Sequence, residues 1–229
     1  MKSGIILLLL LFLTFSCKKA PLQNTNPSSN IPTNLTEVGQ LLDSLHVEDQ
    51  KYRAELDGII EEFGWNSKEM SDQWEIISAA DARNLVIVEG ILAQHGWLGS
   101  DEIGSTANST LFLVIQHSDQ ETQEKYLPMM QQAVKDGKAR ARSLALLEDR
   151  VGLGKGELQI YGSQIGTDQE TGEMYVLPLF EPETVNERRL QVGLGPIEDY
   201  IGHWDLEWDV EAYKKKLPEY IEQLKSQTR

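Results

Sequence analysis

LTEVGQLLDSLHVEDQKYRAELDGIIEEF, residues 35–63, carries apolar side chains at steps of three and four residues. They are Leu35, Val38, Leu41, Leu42, Leu45, Tyr52, Leu56, Ile59, Ile60 and Phe63. This spacing matches the 3.6-residue turn of an α-helix, so the side chains would form one stripe along it. Gly64 follows directly, and glycine commonly ends helices. The stretch therefore predicts one long amphipathic helix.

A second helix is predicted from Ser67, a favoured N-cap residue, to Gly96. Its apolar positions again share one face: Met70, Trp74, Ile77, Leu85, Val88 and Leu92. Methionine and tryptophan at this spacing usually fill a hydrophobic core. The face is therefore expected to be buried against the first helix.

Three shorter helices are expected after a loop rich in Gly and Ser at 99–105. They cover Ala107–His117, Glu121–Val134 and Ala139–Val151, and the middle one should bend or restart at Pro128, which lacks a backbone donor. Next, ELQIYGSQIG and EMYVLPLF flank the turn residues TDQETG (167–172), a pattern typical of a β-hairpin. Helix returns at 183–191 and 210–224. The predicted fold class is mainly α: a single helical domain with one small β-hairpin.

Residues 1–16 have the composition of an export signal. Lys2 precedes nine uninterrupted apolar residues, Ile5–Leu13, a stretch too short to remain as a membrane-spanning helix. The sequence LTFSC (13–17) resembles the lipobox of bacterial lipoproteins in a relaxed form, with Phe15 at its second place. The resemblance implies that Cys17 is lipidated and becomes the acylated N-terminus. The chain is thus expected to be tethered to a membrane.

Residues 17–34 follow as a lipidated cysteine and a flexible linker, because KKAPLQNTNPSSNIPTN is rich in Pro, Asn and Ser. The domain is expected to cover 35–229. Lys18 and Lys19 differ from the acidic tracts that resemble surface-export signals, which favours the periplasmic face of the outer membrane as the location of the anchor.

Charge and cysteine content narrow the partners. The formal net charge is −15, so the chain would repel the phosphate backbones of nucleic acids. Cys17 is the only cysteine, so no disulfide can form within the chain. The four histidines are scattered and form no HExxH motif. We therefore expect no nucleic-acid partner, no metal centre and no cofactor; the expected partners are the membrane, an envelope protein or a small anionic ligand.

Seven short motifs between residues 37 and 220 resemble a family of bacterial proteins known only as a domain of unknown function. The motifs are HGWLG (95–99), FLVIQHSD (112–119), LPMM (127–130), LALLEDRV (144–151), QIYGSQ (159–164), EPETVNERR (181–189) and VGLGP (192–196). The resemblance covers nearly the whole domain but implies no activity, cofactor or substrate.

His117 and Asp119 lie where an apolar run ends, and three interpretations remain open: a structural role, a catalytic role, and contact with a ligand without chemistry. On one continuous helix they would point roughly 200° apart and could not pair. In the structural interpretation, Asp119 caps the next helix and His117 ends the previous one. In the functional interpretation, His117 is a general base oriented by a carboxylate such as Asp119 or Asp149.

Arg150 has the planar fork of donors that binds carboxylate or phosphate, although at a helix end it could equally pair with a neighbouring acid. Tyr161 and Gln164 lie on the first predicted strand and are candidate ligand-binding residues, together with His95 and Asp119. The candidate catalytic residues are His117, Asp149 and Arg150.

Two functions stay open. The first is a tethered binding or interaction domain, which requires no cluster of catalytic groups. The second is a small metal-independent hydrolase or transferase, with His117 as base and Arg150 as anion clamp. The second hypothesis requires His95, His117, Asp149, Arg150 and Gln164 to converge in one cleft.

Overall fold

The computed structural model describes residues 31–168 and 173–227. The predicted fold class is confirmed: the described chain is mainly α-helical and contains one antiparallel pair of short strands. None of the helices in these ranges is both long and apolar enough to cross a bilayer. The predicted signal peptide, Cys17 and linker residues up to 30 lie outside the described residues.

The described chain contains α1 to α10, β1, β2 and two short 3₁₀ turns at Pro182–Thr184 and Gly202–Trp204. The helices are α1 Leu35–Arg53, α2 Leu56–Phe63, α3 Lys68–His95, α4 Ser100–Ile103, α5 Ser105–Gln116, α6 Gln120–Lys135, α7 Ala141–Gly154, α8 Val185–Gln191, α9 Ile197–Ile201 and α10 Val210–Gln227; the strands are β1 Ile165–Thr167 and β2 Met174–Val176.

The single helix predicted for 35–63 is wrong, because the chain turns at residues 54–55 and forms α1 and α2. In an uninterrupted helix the carbonyl of Tyr52 would accept the amide of Leu56. Here that carbonyl accepts the side-chain amide of Gln73, on α3, at 2.7 Å. A contact from a distant helix thus accompanies the break.

Both predicted ends of α3 are confirmed. The Ser67 hydroxyl accepts the amide of Met70, and Gly96 ends the helix with φ +68°. Trp74, however, is 39% exposed and does not belong to the core, while Gln73 and Asn84 are buried on this helix. Of the two alternatives predicted at Pro128, the restart does not occur, because α6 is one helix with Pro128 inside it, and the bend stays a prediction.

The β-hairpin is present but much shorter than predicted, with Ile165 opposite Val176. Tyr161, Ser163 and Gln164 were expected on a strand and instead lie in a loop. Gly162 has φ +65° in this loop, a conformation that interrupts an extended strand, and a Cβ there would approach Ile197 to 2.8 Å.

Two clusters of buried apolar residues hold the fold. The larger joins α1, α3, α5, α6 and α7, and each fully buried Leu or Ile in it contributes about 2 kcal/mol. The smaller lies in the last third of the chain and contains Val176, Leu179, Val185, Ile197, Ile201 and Tyr213. The candidate site residues lie along the helices of the first cluster and in the loop that precedes the second.

The last residues of the predicted linker pack against α3. Pro32 O lies 3.0 Å from His95 Nε2, and Ile31 lies so close to Gly90 that a Cβ there would meet it at 2.9 Å. Asn34 caps α1 by accepting the amides of Thr36 and Glu37. The folded part of the chain therefore includes residues 31–34.

Candidate functional site

His117 directly follows α5, where the apolar run ends. Its Nδ1 lies 3.0 Å from Asp49 Oδ1 on α1, and the Asp49 carboxylate is only 1% exposed. Asp49 also accepts the side-chain amide of Gln50 at 2.7 Å. The carboxylate that orients the imidazole is therefore Asp49, whereas the sequence pointed to Asp119 or Asp149.

Arg53 joins Asp49 to a second carboxylate. Its two Nη atoms donate to the two oxygens of Asp81, on α3, at 3.0 and 2.8 Å. One of them also lies 3.4 Å from Asp49 Oδ1. Asp49, Arg53, Asp81 and His117 form one network across α1, α3 and the end of α5, which we call the His117 cluster.

A recess of about 220 Å³ opens beside the His117 cluster. It is lined by Ser78, Asp81, Ala82, Leu85, His117, Ser118 and Asp119. His117 Nε2 has no hydrogen-bond partner among the described residues, because the only ring contact is through Nδ1. Since a carboxylate accepts hydrogen bonds, Nδ1 of the neutral ring carries the proton and Nε2 keeps its lone pair for a ligand.

Asp119 lies on the rim of the recess and also caps α6, because its carboxylate accepts the Thr122 amide at 2.8 Å. This is the structural role that the sequence allowed. Contacts with Thr122, the side chain first and the backbone second, lower the pKa of Asp119. The carboxylate therefore stays ionised beside the recess at neutral pH.

The cluster makes stability depend on pH. Burial alone would raise the pKa of Asp49, but the hydrogen bond and charge of His117, the charge of Arg53 and the Gln50 amide outweigh it, so the pKa is lowered from 3.8. A lowered carboxyl pKa stabilises the fold above the unfolded-state pKa, and this contribution is lost as pH falls through the folded-state pKa. We expect urea denaturation to show the loss below pH 3.8, with a smaller loss in Asp49→Asn. An unchanged pH dependence in that variant would contradict the assignment.

Three members of the cluster could offer ligands to a metal ion. One atom from each of Asp49, Asp81 and His117 lies within 4.8 Å of the others. Arg53, however, takes both oxygens of Asp81 and places a positive charge against the same carboxylates. The arrangement therefore favours a hydrogen-bonded network over a metal centre.

Asp149 serves a different part of the fold. Its carboxylate is 1% exposed and accepts the amides of Ile160 at 2.6 Å, Tyr161 at 3.0 Å and Ser163 at 3.0 Å. Burial raises the pKa of Asp149 and these amides oppose the rise. Asp149 and the three amides, which we call the Asp149 cradle, hold the QIYGSQ loop against α7.

The other motifs converge around this cradle. Arg189 is 1% exposed and donates to Tyr161 O at 2.7 Å and to Gly195 O at 2.6 Å. Tyr200 donates its hydroxyl to Ser163 O at 2.7 Å, and the Arg189 guanidinium lies 5.0 Å from the Tyr200 ring centre. The LALLEDRV, QIYGSQ, EPETVNERR and VGLGP motifs thus build one supporting network.

The remaining candidates have local contacts. Gln164 donates to Ser163 Oγ at 2.9 Å, and the Tyr161 hydroxyl lies 3.5 Å from Glu148 Oε2. His95 contacts Pro32 O, so its contact involves neither Gln164 nor Tyr161. Within residues 31–168 and 173–227, no hydrogen bond or ion pair links His117 to Asp149, Arg150 or Gln164. The structure therefore brings Asp149, Tyr161 and Gln164 together around the Asp149 cradle, and His117 lies in a different network.

Sequence reasoning missed Asp49, Arg53 and Asp81. One signal was available: Asp49 lies on the apolar stripe of α1, seven residues after Leu42 and four after Leu45, where a charge must have a partner. The partner itself comes from other helices and could not be identified from local spacing.

Comparisons with known proteins give a family but no activity. The model of a family described as a family of unknown function (DUF6624) matches residues 37–216. No curated protein and no solved structure matches the chain significantly.

Proposed function

Since the chain belongs to the DUF6624 family of unknown function, its role has to be argued from its own side chains, and we propose that it is a membrane-tethered cell-envelope lipoprotein whose helical domain binds a small polar ligand beside His117. One observation carries the binding role: buried Asp49 orients the imidazole, and Nε2 remains available at the recess.

The charges of the recess favour a ligand with hydrogen-bond donors. Asp81 and Asp119 contribute carboxylates, Ser78 and Ser118 contribute hydroxyls, and Arg53 is already paired with Asp81. An ammonium or hydroxyl group could donate to Nε2 and benefit from the nearby negative charge. We therefore propose an amine-bearing or hydroxyl-bearing ligand for this recess.

Binding can be tested by titrating the protein with ethanolamine or glucosamine and recording the amide signals by ¹⁵N NMR. Acetate, which carries the opposite charge, is the control ligand. We expect the amines to shift the signals of His117, Ser118 and Asp119, and His117→Gln to weaken binding roughly tenfold, the equivalent of one charge-assisted hydrogen bond. His203→Gln is the matched control, because His203 is exposed and lies in another part of the chain. Equal titrations for both variants would refute a role for His117.

The tether rests on LTFSC and the signal-like residues before it. Two or three acyl chains on Cys17 would anchor the protein stably, at about 0.8 kcal/mol per buried methylene group. We expect the full chain to incorporate labelled palmitate and to be recovered in the outer-membrane fraction. Cys17→Ala should abolish both; incorporation that survives in this variant would contradict lipidation at Cys17.

The same geometry favours a second candidate, a small metal-independent hydrolase or transferase. A carboxylate on Nδ1 with a free Nε2 is the arrangement of a general base, which takes the proton of water or a hydroxyl group as that oxygen attacks the substrate. Arg150, proposed as anion clamp from the sequence, forms no hydrogen bond or ion pair with His117 in the described part of the chain.

Ester, amide and phosphoester substrates assayed with a chelator present distinguish the two functions. Turnover that requires His117 and survives in His203→Gln would establish catalysis. If no substrate is turned over while the amine probes bind, the binding function stands alone.

A further inference from the structure

Arg150, on α7, carries a positive charge that none of the described residues pairs. Its Nε is enclosed and has no hydrogen-bond partner, and the described residues provide no hydrogen bond or ion pair to the rest of its side chain. Burial lowers the pKa of Arg150, whereas the nearby Tyr200 opposes this change. An enclosed polar group without a partner is rare in proteins, because leaving it unpaired costs free energy.

The charged groups around Arg150 already form hydrogen bonds with backbone groups. Asp149, the next residue back, uses its carboxylate for the three amides of the Asp149 cradle. Arg189 donates to two backbone carbonyls, and Arg188 donates to Ile160 O and Phe180 O. None of these groups supplies Arg150 with a counter-ion.

Carboxylates act on Arg189 but not on Arg150. The charges of Asp149 and Glu198 oppose the lowering of the pKa of Arg189 by burial, whereas only Tyr200 opposes that of Arg150. The charges of Arg150 and Arg189 both act on Tyr200, and Asp149 is the only carboxylate among the causes of its pKa shift. Arg189, like Arg188, has no ion pair in the described part of the chain, since its partners are neutral carbonyls. With a net charge of −15 for the whole protein, a guanidinium without a carboxylate partner is a local exception that favours an anionic ligand.

We propose that Arg150 is the receptor for a small oxyanion, the carboxylate or phosphate group of a soluble ligand, at a second site separate from the His117 recess. The Asp149 cradle, Arg189 and Tyr200 hold the QIYGSQ loop in one conformation against α7, the helix that carries Arg150. Its planar fork matches two oxygens of the anion at once, a geometry that lysine cannot reproduce.

Thermal unfolding of the full chain in acetate, phosphate or chloride at equal ionic strength tests the site. A bound anion stabilises the folded state in proportion to the logarithm of its concentration. We expect Tm to rise with acetate or phosphate above the value in chloride, and Arg150→Gln to remove the rise. Arg142→Gln, at an exposed position of the same helix, is the matched control and should respond like the wild type.

Arg150→Met separates an anion receptor from a structural arginine. Arg150 is half-buried and its enclosed Nε has no partner. Because such a group disfavours folding, in chloride this variant should unfold at the same temperature as the wild type or higher, and it should not respond to acetate or phosphate. A response to acetate alone identifies a carboxylate site, and a response to phosphate alone identifies a phosphate site. A lower Tm for Arg150→Met in chloride, or a wild type that responds equally to all three anions, would overturn the proposal.

Discussion

Asp149→Asn is expected to lower the free energy of unfolding by about 4 kcal/mol, the range for breaking a buried hydrogen-bond network. The carboxylate accepts three backbone amides, from Ile160, Tyr161 and Ser163. Asparagine keeps the shape but turns one acceptor into a donor that faces other donors. Urea denaturation at neutral pH measures the loss.

Hydrogen exchange locates the effect. At least one of the amides of Ile160, Tyr161 and Ser163 should exchange faster in Asp149→Asn, because asparagine keeps only one of the two acceptor oxygens. Asp199→Asn is the matched control, since Asp199 is exposed and should be neutral within about 0.5 kcal/mol. If both variants lose the same stability, the cradle does not hold the loop.

Asp49→Asn is expected to lower the free energy of unfolding by about 3 kcal/mol, as for a buried ion pair that loses one partner. Asp49 is 1% exposed; its carboxylate contacts His117 Nδ1, accepts the Gln50 amide and forms an ion pair with Arg53 at 3.4 Å. An asparagine cannot serve all three. The measurement is urea denaturation at neutral pH, with the exposed Asp43→Asn on the same helix as control.

A double-mutant cycle with His117→Gln separates the pair from general packing. Residues in direct contact show a coupling energy of about 0.5–3 kcal/mol, whereas independent residues give additive losses. Strict additivity of Asp49→Asn and His117→Gln would show that the two side chains do not act together, and the orientation of the imidazole would need another cause.

Local signals in the sequence predicted several individual helix ends, although the predicted loop at 99–105 contains the short helix α4. Ser67 and Asp119 cap helices through contacts three residues away, and Gly96 ends α3 through its own backbone conformation. The break after α1 was not predictable in this way, because Gln73 reaches Tyr52 O from 21 residues further along the chain.

The hairpin was overestimated for a related reason. QIYGSQ has a composition typical of strands, yet Asp149 collects its amides, and the Gln159 side chain bonds to Gln164 N and Leu177 O. The candidate site was likewise predictable only in part. His117 was identified from the end of an apolar run, but its partner Asp49 lies 68 residues earlier and was missed. Periodicity shows which face is buried but not what it meets there.

The His117 cluster and the Asp149 cradle also differ in the sequence separation of their contacts, and this difference predicts the order in which they form during folding. The contacts of Asp149 close loops of 11 to 14 residues, whereas the contact between His117 and Asp49 spans 68. Longer loops cost more entropy and contacts of high sequence separation form more slowly. We expect the cradle beside Arg150 to assemble early during refolding and the recess beside His117 to be completed late, after α1, α3 and α5 have docked.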